Sequence, residues 1–170
     1  VEKNIVLIGF MGVGKSTIGR TLAEKLAKSY VDLDEEIEKD FDLPVTQIFQ
    51  TFGERIFRDH ERKLIQKVVQ KGGQVVSLGG GAFVQEDIRD LCLATGLVVY
   101  LHMPWESWTE RLDLIMESRP VLHNKSLEDI KELFEERQQL YKHHHMVIDV
   151  ANQDVDTIVN NILGELNKHA

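Results

Sequence analysis

Gly9-Phe10-Met11-Gly12-Val13-Gly14-Lys15-Ser16-Thr17 matches the pattern G-x-x-x-x-G-K-[ST], and its flanks fix its setting. The apolar run Ile5-Val6-Leu7-Ile8 leads into it, and a helix-forming run over 18–26 leads out. A strand, a glycine-rich turn and a helix N-terminus together make a nest of backbone N–H groups. The amides and the helix dipole both favour negative charge there, so the nest suits phosphates. In a loop of this kind Lys15 reaches the β- and γ-phosphates and the Ser16 hydroxyl sits on Mg²⁺. The stretch points to a bound nucleotide and leaves the phosphate acceptor open.

Outward from the loop, short apolar, β-branched runs read as buried strands at 5–8, 30–33, 75–78, 97–101 and 146–150. Helical patterns lie between them, at about 15–27, 34–39, 45–71, 86–93, 105–117, 127–141 and 155–167, with a break in the longest at Gly53. Alternating strands and helices imply an α/β fold, a parallel sheet with helices on both faces. Pro104 suits a first helical turn, and Ser126 with Asp129 resembles an N-terminal cap. With 170 residues, no repeat and no low-complexity linker, the chain reads as a single domain over 1–170.

A net charge of −8 argues against nucleic acid as a main partner, because phosphate backbones want a basic face. Anionic ligands must then be held by a few local arginines and lysines. Cys92 is the single cysteine, which rules out an internal disulfide and fits a reducing cytoplasm. No apolar run reaches membrane-spanning length and no signal-peptide pattern is present, so no membrane association is expected.

Three groups of residues point to an acceptor. Asp32 and Asp34 stand at the C-terminal end of the second strand, the edge where ligands bind in open α/β sheets. Alternation places them on one side of that strand, where one could hold Mg²⁺ and the other a hydroxyl proton. The plainer alternative for Asp34 is a helix cap. At the end of the third strand, Ser77-Leu78-Gly79-Gly80-Gly81 carries no Asp, and three glycines allow a ligand close to the backbone. Finally, Arg58 and Glu61 fall inside the apolar arc of their helix. Arg137 falls inside the arc formed by Leu127, Ile130, Leu133, Phe134, Leu140 and Tyr141. An inward arginine is costly without an anion. Snorkelling or structural ion pairing would account for one, and two together point to a bidentately held carboxylate.

The stretch 116–125, MESRPVLHNK, has little periodicity and reads either as a lid that closes over nucleotide or as a connector. Overlapping its end, Asn124-Lys125-Ser126-Leu127 is superficially a guanine-reading motif, but Leu127 replaces the required Asp. His143-His144-His145 is read as structural or solvated, since consecutive side chains do not converge on one metal.

Taken together these residues resemble the shikimate kinase family over nearly the whole chain. The motifs are Gly-x-x-Gly-x-Gly-Lys-Ser-Thr at 9–17, Asp-x-Asp at 32–34 and Gly-Glu-x-x-Phe-Arg-x-x-Glu at 53–61. They continue with Gly-Gly-Gly at 79–81, Arg-Pro-x-Leu at 119–122 and Arg-x-x-Leu-Tyr at 137–141. The resemblance implies a three-layer P-loop kinase fold whose five-stranded parallel sheet runs 2-3-1-4-5. It implies transfer of the γ-phosphate of ATP to the 3-hydroxyl of shikimate, in a cytoplasmic monomer that uses Mg²⁺. It further implies a mobile lid at about 112–125 and a substrate-binding helical region at about 34–61.

The residue roles follow from the same resemblance. Gly12, Val13, Gly14, Lys15, Ser16 and Thr17 hold the phosphates, with Lys15 supporting the transferred group. Ser16 ligates Mg²⁺ and Asp32 holds it through water. Asp34 binds shikimate hydroxyls and is the candidate base. Arg58 and Arg137 hold the carboxylate, and Gly80 contacts the substrate through its backbone. Arg119 closes onto the phosphates from the lid, Arg111 lines the adenine site, and Phe49 with Phe57 walls the ring. Ala151-Asn152-Gln153 departs from the pattern, having no arginine where some relatives place one near adenine. A gluconate kinase of the same fold and a non-catalytic binding protein are the alternatives, and an acceptor assay separates all three.

Overall fold

The computed structural model describes residues 2–118 and 125–168. Five strands, β1 (Ile5–Ile8), β2 (Tyr30–Asp32), β3 (Val75–Ser77), β4 (Leu97–His102) and β5 (Met146–Asp149), pair in parallel in the order β2-β3-β1-β4-β5. Parallel neighbours need crossovers, and helices supply them. These are α1 (Lys15–Leu26), α2 (Leu33–Phe41), α3 (Val45–Phe52), α4 (Glu54–Lys71) and α5 (Glu86–Thr95), then α6 (Trp105–Glu110), α7 (Leu112–Ser118) and α8 (Leu127–Tyr141); α9 (Val155–Lys168) follows the last strand. The order is the one the family resemblance implies.

Central strands β1 and β3 are buried at every position, as a sheet covered on both faces requires. Edge strand β5 alternates buried and exposed. A second, smaller apolar cluster joins Ile37, Ile48 and Phe57 from α2, α3 and α4, with Phe49 packed on it. Each such buried side chain contributes about 1.5–3 kcal/mol, so this helical region has a core of its own beside the sheet.

The predicted break at Gly53 is present: its φ of 86° ends α3 and starts α4, in a region that favours glycine. Ser126 and Asp129 form a reciprocal capping box at the start of α8.

Three expectations need correction. Leu33 is helical, so β2 stops at Asp32, whose Oδ1 accepts from the Glu35 N–H at 3.2 Å and caps α2. Asp32 and Asp34 therefore do not share a strand face, and the capping alternative belongs to Asp32, not Asp34. The helix expected over 105–117 is two helices with Arg111 between them at φ −99°, ψ 5°. Two tethers draw this segment to the phosphate loop: Trp108 Nε1 donates to the Met11 carbonyl at 2.8 Å, and Arg111 reaches the Gly12 carbonyl at 3.5 Å. Leu127, expected on the apolar arc, is 53% exposed because it directly follows the cap, whereas Ile130, Phe134 and Tyr141 are buried.

The histidines make backbone contacts: His144 Nδ1 lies 2.6 Å from the Tyr141 carbonyl, and the Val98 N–H donates to His145 Nδ1 at 2.9 Å. Among the described residues no group of three His, Cys, Asp or Glu is placed to hold a metal. No helix among them is long and apolar enough to cross a membrane.

Candidate active site

The loop between β1 and α1 forms one wall of a cleft of about 380 Å³. Gly12, Gly14, Lys15, Ser16 and Thr17 line it on that side, and Asp32, Asp34, Gly79 and Gly80 line it opposite. Val13 is buried and is not among the residues lining the cleft. Gly12 has φ 76°, and a β-carbon there would lie 2.7 Å from Ile115 of α7. Position 12 therefore accepts only glycine, for backbone and packing reasons alike. Lys15 lies over its own loop, its Nζ donating to the carbonyls of Gly9 at 2.5 Å and Phe10 at 3.2 Å.

The acids meet the loop through strand register. Asp32 of β2 pairs with Ser77 of β3, which sets a carboxylate on the neighbouring strand beside the end of the third strand, which has no Asp of its own. Ser16 Oγ donates to Asp32 Oδ2 at 2.9 Å. One hydroxyl and one carboxylate are the sparse oxygen set that fits Mg²⁺, which keeps several waters and takes phosphate oxygens. The Tyr30 hydroxyl sits 2.8 Å from Ser77 Oγ and 3.3 Å from Asp32 Oδ2. Burial raises its pKa, and the Ser77 hydrogen bond partly offsets that.

Helices α2 and α4 press two charged side chains against the glycines: Asp34 lines the cleft, whereas Arg58 and the Gly81 it faces are not among the lining residues. The Asp34 carboxylate lies against Gly79, where a β-carbon would fall 2.8 Å from its Cγ. The Arg58 guanidinium lies against Gly81, where a β-carbon would fall 2.9 Å from Nη1. Side chains at 79 or 81 would displace the groups that face them. Arg58 donates to Glu61 at 3.0 Å and lies 3.6 Å from Glu54. Its guanidinium stands 5.1 Å from the Phe57 ring centroid and 5.7 Å from that of Phe49, and these rings stack at 4.6 Å. The aromatic face and the buried carboxylate of Glu61, only 1% exposed, together fix the guanidinium plane.

Arg137 is half-buried on α8, which packs against the 3-10 turn Ala82–Val84 just beyond the glycines. It is not among the residues lining the cleft, and its charge bears on Tyr141. Arg111 lines a separate hollow of about 200 Å³ with Met103, Ser107, Val150, Asn152 and Gln153. Arg119 lies outside the described residues, as does the rest of 119–124 within the expected lid; its first part, 112–118, forms α7.

Sequence reading missed the side chains that hold this site from a distance. Tyr141 donates to the Gly9 carbonyl at 3.1 Å, Trp108 to Met11, and Gln85 Nε2 to Glu61 Oε1 at 2.6 Å. Gln85 and Trp108 carry no sequence signal for these contacts, and Tyr141 stands in an apolar arc and at the end of the 137–141 motif with no sign of its contact to Gly9.

Comparison with known proteins bears on the whole of this arrangement. The family model described as shikimate kinase matches residues 11–167. A shikimate kinase of Oceanobacillus iheyensis is 45% identical over 165 residues, covering 97% of this chain and 90% of the relative. The crystal structure of shikimate kinase from Aquifex aeolicus superposes with a TM-score of 0.86 at 34% identity, covering 98% of this chain and 97% of that one. The Acinetobacter baumannii enzyme, solved in complex with shikimate, gives 0.82 at 30% identity, over 99% and 95% of the two chains.

Proposed function

The chain belongs to the shikimate kinase family, and from that premise we propose how its own residues carry the reaction. It is an ATP-dependent kinase that transfers the γ-phosphate of ATP to the 3-hydroxyl of shikimate, in chorismate and aromatic amino-acid biosynthesis.

One observation carries the reading of the site: Asp34 and the phosphate loop face each other across one cleft, with Arg58 set beside it at Gly81. The loop amides from Gly12 to Thr17 hold the nucleotide phosphates, and Lys15 turns from its carbonyls to the transferred group. Asp34 binds the acceptor hydroxyls and takes the proton of the 3-hydroxyl as its oxygen attacks. Arg58 and Arg137 hold the acceptor carboxylate, Gly80 donates its backbone N–H, and the stacked Phe49 and Phe57 back the ring. Ser16 and Asp32 would hold Mg²⁺, which when bound neutralises charge on the phosphates. Arg111 and its hollow take the base. Arg119 closes from the lid over 112–125, and helices within 34–61 form the acceptor side. Catalysis is then positioning and charge neutralisation, since phosphoryl transfer needs little covalent help. The enzyme works as a monomer in a reducing cytoplasm, where its single Cys92 is compatible with the redox state.

A coupled ADP-release assay with shikimate, with gluconate and with neither tests this reading. Release that requires both shikimate and Mg²⁺ supports it. Equal release without acceptor, or equal use of gluconate, overturns it.

A further inference from the structure

Gln85 occupies the N-cap of α5 yet makes no side-chain cap. Short side chains such as Ser, Asp and Asn are favoured at that position because they reach back to the first-turn amides. The Gln85 amide turns the other way and donates to Glu61 Oε1 at 2.6 Å. An ionised carboxylate only accepts, so the nitrogen faces it.

The same oxygen accepts from Arg58 Nη1 at 3.0 Å. Glu61 is 1% exposed, and its Oε2, like Gln85 Oε1, is buried with no hydrogen-bond partner among the described residues. The amide is thus the second of two donors that fix the carboxylate, whose terminal torsion is otherwise soft. Arg58 has a competing partner in Glu54, which is 71% exposed and 3.6 Å away. Weakening the buried partner lets the guanidinium swing outward to the exposed one. Gln85 also sits one 3-10 turn beyond Gly81, the glycine against which Arg58 rests. One short segment therefore supplies both the surface under the guanidinium and the amide that orients its counter-ion.

We propose that Gln85 is a positioning residue for the acceptor: through Glu61 it sets Arg58 in place for the carboxylate of shikimate. This rests on the role given above to Arg58, and it extends the acceptor site to a residue that touches no substrate.

The test is calorimetric titration of shikimate and of a non-hydrolysable ATP analogue into the wild-type chain, Gln85→Met, Arg58→Ala and the double variant. Methionine keeps the length and apolar bulk and removes the donor. A hydrogen bond to a charged group carries enough free energy for shikimate affinity to fall about 10-fold in Gln85→Met. Nucleotide affinity stays within about twofold, and on the Arg58→Ala background the Gln85 substitution costs nothing more, because coupled residues are not additive. Unchanged shikimate affinity, equal loss for both ligands, or full additivity with Arg58→Ala overturns the proposal. A wild-type chain that does not bind shikimate places the failure in the functional reading instead. Should Gln85→Met lose its cooperative thermal transition, Gln85→Asn, which keeps the amide but shortens its reach, takes its place with the same expected result.

Discussion

The carboxylate of Asp34 rests on the Cα of Gly79, so that a β-carbon there would stand 2.8 Å from its Cγ. An acid on α2 and a glycine after β3 thus define one contact, and the glycine acts as the floor that sets how far the acid reaches into the cleft. Gly79→Ala pushes Asp34 off this floor. A displacement near 1 Å at a reacting group costs about 100-fold in rate, so kcat falls by that order while nucleotide affinity holds. Steady-state kinetics with nucleotide titration checks this; a kcat within a few-fold of wild type would refute the floor.

Asp34→Asn keeps the shape and removes the charge. If Asp34 takes or orients the hydroxyl proton, turnover falls by about 10²–10⁴-fold, with nucleotide binding largely intact because the loop is untouched. Near-wild-type turnover in this variant excludes Asp34 as an essential base.

Arg137→Ala raises the KM for shikimate far more than that for ATP, by about 10-fold or more, the value of a lost charge-assisted pair. Equal rises for both substrates count against a carboxylate role and in favour of a general one in the packing of α8.

The legible parts of this site were those written in local patterns. The phosphate loop is contiguous, and Arg58 with Glu61 betrayed themselves by falling on the apolar arc of a helix, where the period alone marks the face. Sheet order was not so encoded; periodicity located strands, and the family resemblance supplied their arrangement. Asp32 and Asp34 were misplaced by one residue of strand boundary, because the capping preference of Asp ended β2 before Leu33. Tyr141 on Gly9, Trp108 on Met11 and Gln85 on Glu61 were invisible for another reason. Each joins residues far apart in the chain, and a buried polar contact leaves no periodic trace at either end.

Alkaline pH destabilises the fold. Burial pushes the Cys92 thiol and the Tyr100 phenol up to about 12, and pushes Tyr141 up as well. In the unfolded chain such groups lose protons near ~8.5 for Cys and ~10 for Tyr. Folded-state values that are raised stabilise the protein fully below the unfolded values, and that contribution is lost as pH rises towards 12. The melting temperature is therefore expected to decline from roughly pH 9 upward, with tyrosinate absorbance from Tyr100 and Tyr141 appearing only with unfolding. A flat melting temperature across that range contradicts the assignment.

Tyr30 links Ser16 and Asp32, the pair proposed to hold Mg²⁺, to the third strand. Its hydroxyl lies between Ser77 Oγ and Asp32 Oδ2, and Asp32 in turn accepts from Ser16. The ring is seated on Gly19, where a β-carbon would collide with its edge, and Arg20 lies 5.3 Å from the ring centroid. Phenylalanine fills the same seat without the hydroxyl, so Tyr30→Phe should fold normally and release one restraint on Asp32. A lost hydrogen bond of this kind is worth about 1 kcal/mol, or roughly fivefold in affinity. The Mg²⁺ concentration for half-maximal activity rises by about that factor, and calorimetry shows the same loss for ADP with Mg²⁺ but not for ADP in chelator. The KM for shikimate stays put, because Arg58 and Arg137, the residues proposed to hold its carboxylate, lie on α4 and α8 and not on β2. Equal weakening with and without the metal would show that Tyr30 supports the phosphate loop as a whole rather than the Ser16–Asp32 pair.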